Sequence, residues 1–219
     1  MSRRLESHLF WGSHSPLSAL AGSGLIILAS SRLSFAIVCM AALIWVYGLT
    51  ALIFCGARRI LPSWGKMLIL LFLSTFLCAI FTLSLSLLNP LLVLGTAFFL
   101  FLIPPCCLGS GYFESLESVE PLEAATRALF EAIVLSGLIL AFALIREPLG
   151  MGTLSIPGGA QGVIELFDIS GPYGFLLLRI FSISGGGLLL LGYAVALYRY
   201  LRERYGEVPR DEFFPEGEQ

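Results

Sequence analysis

The chain has 219 residues, of which 57% are hydrophobic and 13% are charged, and its mean hydropathy is +0.90. Soluble domains carry about a quarter charged residues, so this composition excludes a soluble enzyme and a disordered chain. The net charge of -2 provides no basic surface for nucleic acid. At this length about six membrane helices fit, because each needs roughly 20 residues.

Six apolar segments follow one another along the chain. The first, residues 16–30, is too short to cross a bilayer core at 1.5 Å per residue, which is typical of a half-helix. The fourth, residues 91–111, is interrupted by Pro104-Pro105, which cannot sit inside a regular helix. The other four segments are long enough to span the membrane, and they are predicted at residues 33–55, 67–88, 128–145 and 173–198. A Gly/Pro-rich loop is predicted over 146–172.

One broken segment followed by two full spans occurs twice. Three crossings invert the orientation of the next unit, so the pattern predicts an all-α polytopic membrane protein built from two inverted three-helix repeats, about 15–88 and 91–200. A short lead-in (1–14) and a charged tail (201–219) flank this single domain. The alternative is that two short segments among six arose by chance.

The positions of Arg and Lys predict the orientation. Ten of them fall on the side of the two termini, against Arg32 and Arg146 on the other side. Cytoplasmic loops carry the excess of these residues. We therefore expect a multi-pass protein of the bacterial cytoplasmic (inner) membrane with both termini cytoplasmic.

The stretch that begins at Cys107 combines a cysteine at a broken helix end with glycines and acidic residues. A cysteine in a membrane helix is usually a small apolar filler, yet thiolates are also the usual ligands of iron–sulfur clusters. Glu131, near the start of the fifth span, has two interpretations as well. It is either a hydrated acid at the interface or a cation relay site, since acids inside membranes mark ion paths.

Three stretches resemble the small membrane subunits of the Rnf/Nqr family, which belong to ion-translocating oxidoreductases. Cys107, Gly111 and Glu114 fall on the family pattern N-C-A-I-L-G-R-A-E-A-F-A. In a second stretch, Trp11 and Gly22 fall on the family pattern for the first apolar segment. This lead-in looks more like the NqrD/RnfE-type subunit than the NqrE/RnfA-type. The third stretch is similar to the family pattern I-R-E-x-L-G-x-G-T-L. It matches this pattern at Arg146, Glu147, Gly150, Gly152 and Thr153.

The resemblance implies a 2Fe-2S cluster that is shared with a homologous subunit of inverted topology. Cys107 would be a ligand, with Cys106 as a second candidate, while Gly24 stands where the family has its other cysteine. Three outcomes are consistent with this difference. The cluster is kept with an altered set of ligands, the cluster is lost while the protein scaffold is retained, or the chain has an unrelated role. We expect further Rnf-like subunits and the lipid bilayer as partners.

The function that these observations favour is a membrane subunit of an Rnf-like electron-transport complex coupled to Na⁺ or H⁺ movement, which is not a complete enzyme by itself. The alternatives are a secondary transporter for an ion or small solute and a cofactor-free assembly subunit. We also expect Glu147 to pair with Arg179, and the Gly185–Gly187 run to allow close helix contact.

Overall fold

A computed structural model describes residues 20–57, 66–109, 121–159, 162–168 and 178–205. Several features named above lie outside these residues: the lead-in 1–14, Trp11, Gly111, Glu114, the tail beyond Tyr205 and the side chain of Arg179.

The described residues form seven α-helices, one 3₁₀ helix and one β-hairpin. The helices are α1 (Leu20–Ala29), α2 (Leu33–Ala57), α3 (Lys66–Leu88), α4 (Pro90–Leu100), α5 (Ile103–Gly109), α6 (Pro121–Met151) and α7 (Ser184–Tyr205). Strands β1 (Thr153–Pro157) and β2 (Val163–Asp168) follow α6, and the 3₁₀ helix (Leu178–Ser182) precedes α7.

Four stretches of the described helices are long and apolar enough to cross a membrane, which confirms the expectation of a mostly helical chain suited to a bilayer. They are Leu33–Ala57, Leu68–Leu88, Pro90–Cys107 and Glu123–Met151. Of the other two predicted segments, the structure describes ten residues of the first, as α1, and an apolar helical stretch of the sixth over Ser184–Leu197. The arrangement as six spans in two inverted repeats therefore stays a prediction.

The fourth segment is broken, as the prolines predicted. The turn at Phe101 and Leu102 separates α4 from α5, and Pro104-Pro105 lies in the first turn of α5. Proline is tolerated there because the first amides of a helix have no intrahelical partner. Asn89 starts α4, and its Oδ1 accepts a hydrogen bond from Leu92 N at 3.2 Å.

The prediction of a loop over 146–172 is wrong at its start, where a helix continues, and it did not include the two strands that follow. Helix α6 continues through Arg146 and Glu147 to Met151, because both side chains find buried partners. β1 and β2 then pair antiparallel with a bulge between Leu154 and Ser155. Gly162, with φ +84°, closes this hairpin against the backbone of Leu92 at the start of α4.

The sixth segment was predicted as a span over 173–198, and its described part is not one continuous helix. The structure has the 3₁₀ helix up to Ser182 and then α7 from Ser184. The Phe181 and Ser182 carbonyls accept hydrogen bonds from a side chain of α6 instead of completing an α-helix. The Ile183 carbonyl accepts from the same side chain and also from Gly187 N, in the first turn of α7.

Helices α2 and α6 form the centre of the core and pack along their lengths. They run antiparallel: Leu33 lies beside Glu147, and a Cβ on Gly48 would meet Leu129 at 3.4 Å. The two short helices α1 and α5 also contact each other. This packing places the middle of α2, α5 and residues near Glu131 of α6 close together.

Candidate functional site

Two polar side chains from two helices are hydrogen-bonded inside the core, and a carboxyl group of a third helix lies within electrostatic range of both. The Tyr47 hydroxyl of α2 donates a hydrogen bond to the sulfur of Cys107 on α5. The Glu131 carboxyl of α6 is close enough to interact electrostatically with both groups. Tyr47 and Cys107 are buried and Glu131 is half-buried. We call these three residues the Glu131 cluster.

The face of α2 that carries Tyr47 has a second buried polar residue. Tyr47 and Thr50 are three residues apart on α2, so they lie on one helix face. Thr50 is fully buried, and its Oγ1 has no hydrogen-bond partner among the described residues. Buried polar groups are normally hydrogen-bonded, so this face of α2 is more polar than apolar packing requires.

Glu131 lies about a third of the way along α6. Since α6 begins at Pro121, the residue is about 15 Å along the helix axis from its first residue. Arg127, one turn away, forms an ion pair with Glu123 at 2.6 Å. Glu123 is exposed on α6, so Glu123 and Glu131 have different surroundings although they share one helix.

The residues of the second motif form a separate buried group. Arg146 and Glu147 are each 1% exposed. Glu147 Oε2 accepts a hydrogen bond of 2.6 Å from Leu33 N, the first amide of α2, whereas Oε1 has no partner in the described part of the chain. The expected pairing with Arg179 lies outside the described side chains. Arg146 donates to Ile27 O, to Ser30 Oγ (3.3 Å), to Phe181 O (2.7 Å), to Ser182 O (3.2 Å) and to Ile183 O (3.0 Å).

Two glycines of the same motif allow the chain to close around this group. A Cβ on Gly150 would lie 2.7 Å from Ser182 N, so only glycine lets α6 approach the 3₁₀ helix this closely. Gly152 has φ +69° and connects α6 to β1. Arg146, Glu147 and Gly150 therefore serve one junction, whereas Cys107 and Glu131 belong to the other site.

The described residues do not fit the shared iron–sulfur cluster that the resemblance implies. A cluster held by two subunits needs thiolates that reach a common surface, but Cys106 and Cys107 are buried within this chain. An added Cβ at Gly24 would meet none of the described residues within 4 Å, and glycine itself offers no ligand atom. In the described part of the chain, no group of three or more His, Cys, Asp or Glu side chains could hold a metal ion.

Comparison with known proteins assigns no family. No family model matches the chain, and no curated protein matches it. The resemblance to the Rnf/Nqr subunits therefore rests on the motifs in the sequence, and any function that it implies is a proposal.

Sequence reasoning missed Tyr47 and the hairpin. Tyr47 lies in an unbroken apolar run, so no local pattern marks it. The hairpin did have a signal, since β-branched residues flank a Pro157-Gly-Gly turn. Ser155 of β1 accepts from Ser34 N at 3.4 Å, which ties the hairpin to the start of α2.

Proposed function

We propose that this protein is a membrane subunit of an Rnf-like, ion-translocating electron-transport complex and that Glu131 lies on its path for Na⁺ or H⁺. The observation that carries the proposal is the position of Glu131, on a helix apolar enough to span a membrane and within electrostatic range of Tyr47 and Cys107. An ionisable group in a membrane-spanning helix is costly, and such groups usually mark ion or proton pathways.

The short helices support the same proposal. Cys107 belongs to α5, which contacts α1. Interrupted helices that meet within a membrane domain are typical of ion sites, because their ends present unpaired backbone groups. Since the buried thiols do not fit a shared cluster, the proposal assigns this chain to the ion path and places no electron-transfer step on its cysteines.

Glu131→Gln tests the proposal, because it removes the charge and keeps the size of the side chain. We expect sodium or proton uptake, driven by an electron donor in vesicles that contain the whole complex, to fall to background while the subunit still assembles. Glu123→Gln is the matched control, since it is the same change at an exposed position of the same helix. Normal uptake with Glu131→Gln, or equal losses in both variants, would reject Glu131 as part of the path.

A secondary transporter is the second candidate, and Gly24 favours it. The short helix α1 offers no ligand atom at the position where an electron-carrying subunit would need one. Both candidates use Glu131, but a transporter moves its ion without redox partners. Uptake by this chain alone in liposomes, driven only by an ion gradient and abolished by Glu131→Gln, would favour the transporter.

We further propose that the protein resides in the bacterial inner membrane, with both termini cytoplasmic and with an inverted homologous subunit and other complex subunits as partners. Reporter fusions test the orientation. A reporter that is active only in the periplasm should be active within residues 155–170 and inactive after Arg204. Activity after Arg204 would reverse the orientation.

A further inference from the structure

Two interruptions of the helical backbone lie side by side at Arg146. One separates α1 from α2 and the other separates the 3₁₀ helix from α7. The last carbonyls of a helix have no intrahelical partner, and leaving them unsatisfied away from water is costly. Two adjacent breaks therefore require donors from elsewhere in the fold.

Arg146 supplies these donors from the middle of the junction. A guanidinium has five N–H groups, and the five hydrogen bonds of Arg146 use all of them, four to backbone carbonyls and one to Ser30 Oγ. Its charge lies at the carbonyl ends of α1 and of the 3₁₀ helix, where a helix dipole is negative. The side chain is 1% exposed, so the chain itself fills the space between the two ends.

The surroundings are shaped for a flat cation. A Cβ on Gly187 would lie 3.0 Å from both Cζ and Nη1 of Arg146, so the guanidinium is in contact with the backbone of α7. On the other side of the first break, Glu147 brings a negative group to the amide end of α2. The adjacent residues Arg146 and Glu147 thus place a positive charge at the carbonyl end of α1 and a negative charge at the amide end of α2. The dipoles of the two helices favour this arrangement.

We propose that the carbonyl ends of α1 and of the 3₁₀ helix form a cation-binding site that Arg146 occupies as a tethered cation, and that Arg146 is thereby the positioning residue that holds α1 against the 3₁₀ helix. Carbonyls at the ends of interrupted helices bind small monovalent cations in the same way. In this chain the cation is covalently attached, so the break between α1 and α2 keeps one geometry. The inference holds whether or not Glu131 lies on an ion path.

Chemical rescue tests the proposal on the full-length chain in detergent. Arg146→Ala should unfold faster on heating, as followed by tryptophan fluorescence, and added guanidinium should slow its unfolding as it fills the vacated site, by about tenfold once its concentration is about ten times its dissociation constant. Urea has a similar planar shape without the charge, so it should not rescue the variant. The unmodified protein should respond to neither compound, since its site is filled.

A pair of larger substitutions makes the test independent of whether Arg146→Ala folds. Arg146→Lys keeps a cation with three donors, and Arg146→Met keeps a long side chain without charge. We expect Arg146→Lys to give the higher yield and the slower unfolding. Equal behaviour of the Lys and Met variants, or equal responses of Arg146→Ala to guanidinium and urea, would overturn the assignment of a cation site.

Discussion

Gly186→Ala should prevent α7 from packing in its native position. An added Cβ would lie 2.0 Å from Ile180 O and 2.7 Å from Phe181 Cα, which are backbone atoms of the 3₁₀ helix. These atoms cannot easily move away, because the Phe181 carbonyl accepts a hydrogen bond from Arg146. Overpacking of a core usually costs 1–3 kcal/mol, and a backbone clash should cost about 3 kcal/mol or more. Thermal unfolding and yield in detergent measure the effect.

The neighbouring glycine provides the control for this prediction. A Cβ on Gly185 would meet nothing within 4 Å, and this position is exposed. Alanine favours a helix over glycine by about 1 kcal/mol, so Gly185→Ala should be neutral or slightly stabilising. If both variants lost the same stability, the close approach of α7 to the 3₁₀ helix would not be the cause.

Glu147→Ala should produce the second large loss of stability. It removes the acceptor of Leu33 N, which lies 2.6 Å from Oε2 in a fully buried position, and it removes the negative charge at the amide end of α2. A hydrogen bond to a charged group contributes roughly 1.5–3 kcal/mol, so we expect a loss of about 2 kcal/mol in the free energy of unfolding. Chemical denaturation in detergent would measure it.

Glu147→Gln separates the hydrogen bond from the charge. Its amide oxygen can still accept from Leu33 N, so this variant should recover most of the stability that Glu147→Ala loses. A glutamine variant as unstable as the alanine variant would mean that the hydrogen bond to the start of α2 is not what matters.

Part of the candidate site was visible in the sequence. Cys107 and Glu131 are polar or reactive groups in apolar surroundings, which a linear reading detects. Tyr47 was not detected, because its role depends on the distance between α2 and α5, which lie far apart along the chain. The helix that carries Glu131 is longer than predicted, since α6 starts seven residues before the apolar run predicted from Ala128.

The sequence by itself determined that the chain is mostly helical and apolar, the bounds of α2 and α3 to within two residues, and the break before Pro104. These properties depend on local composition, on the thickness of a bilayer and on the covalent geometry of proline. Only the tertiary structure decided that Arg146 and Glu147 stay within α6 and that the last segment is split at Ile183. A charged pair in a sequence is typical of a loop, and it becomes part of a buried helix only when distant helix ends supply hydrogen-bond partners for both side chains.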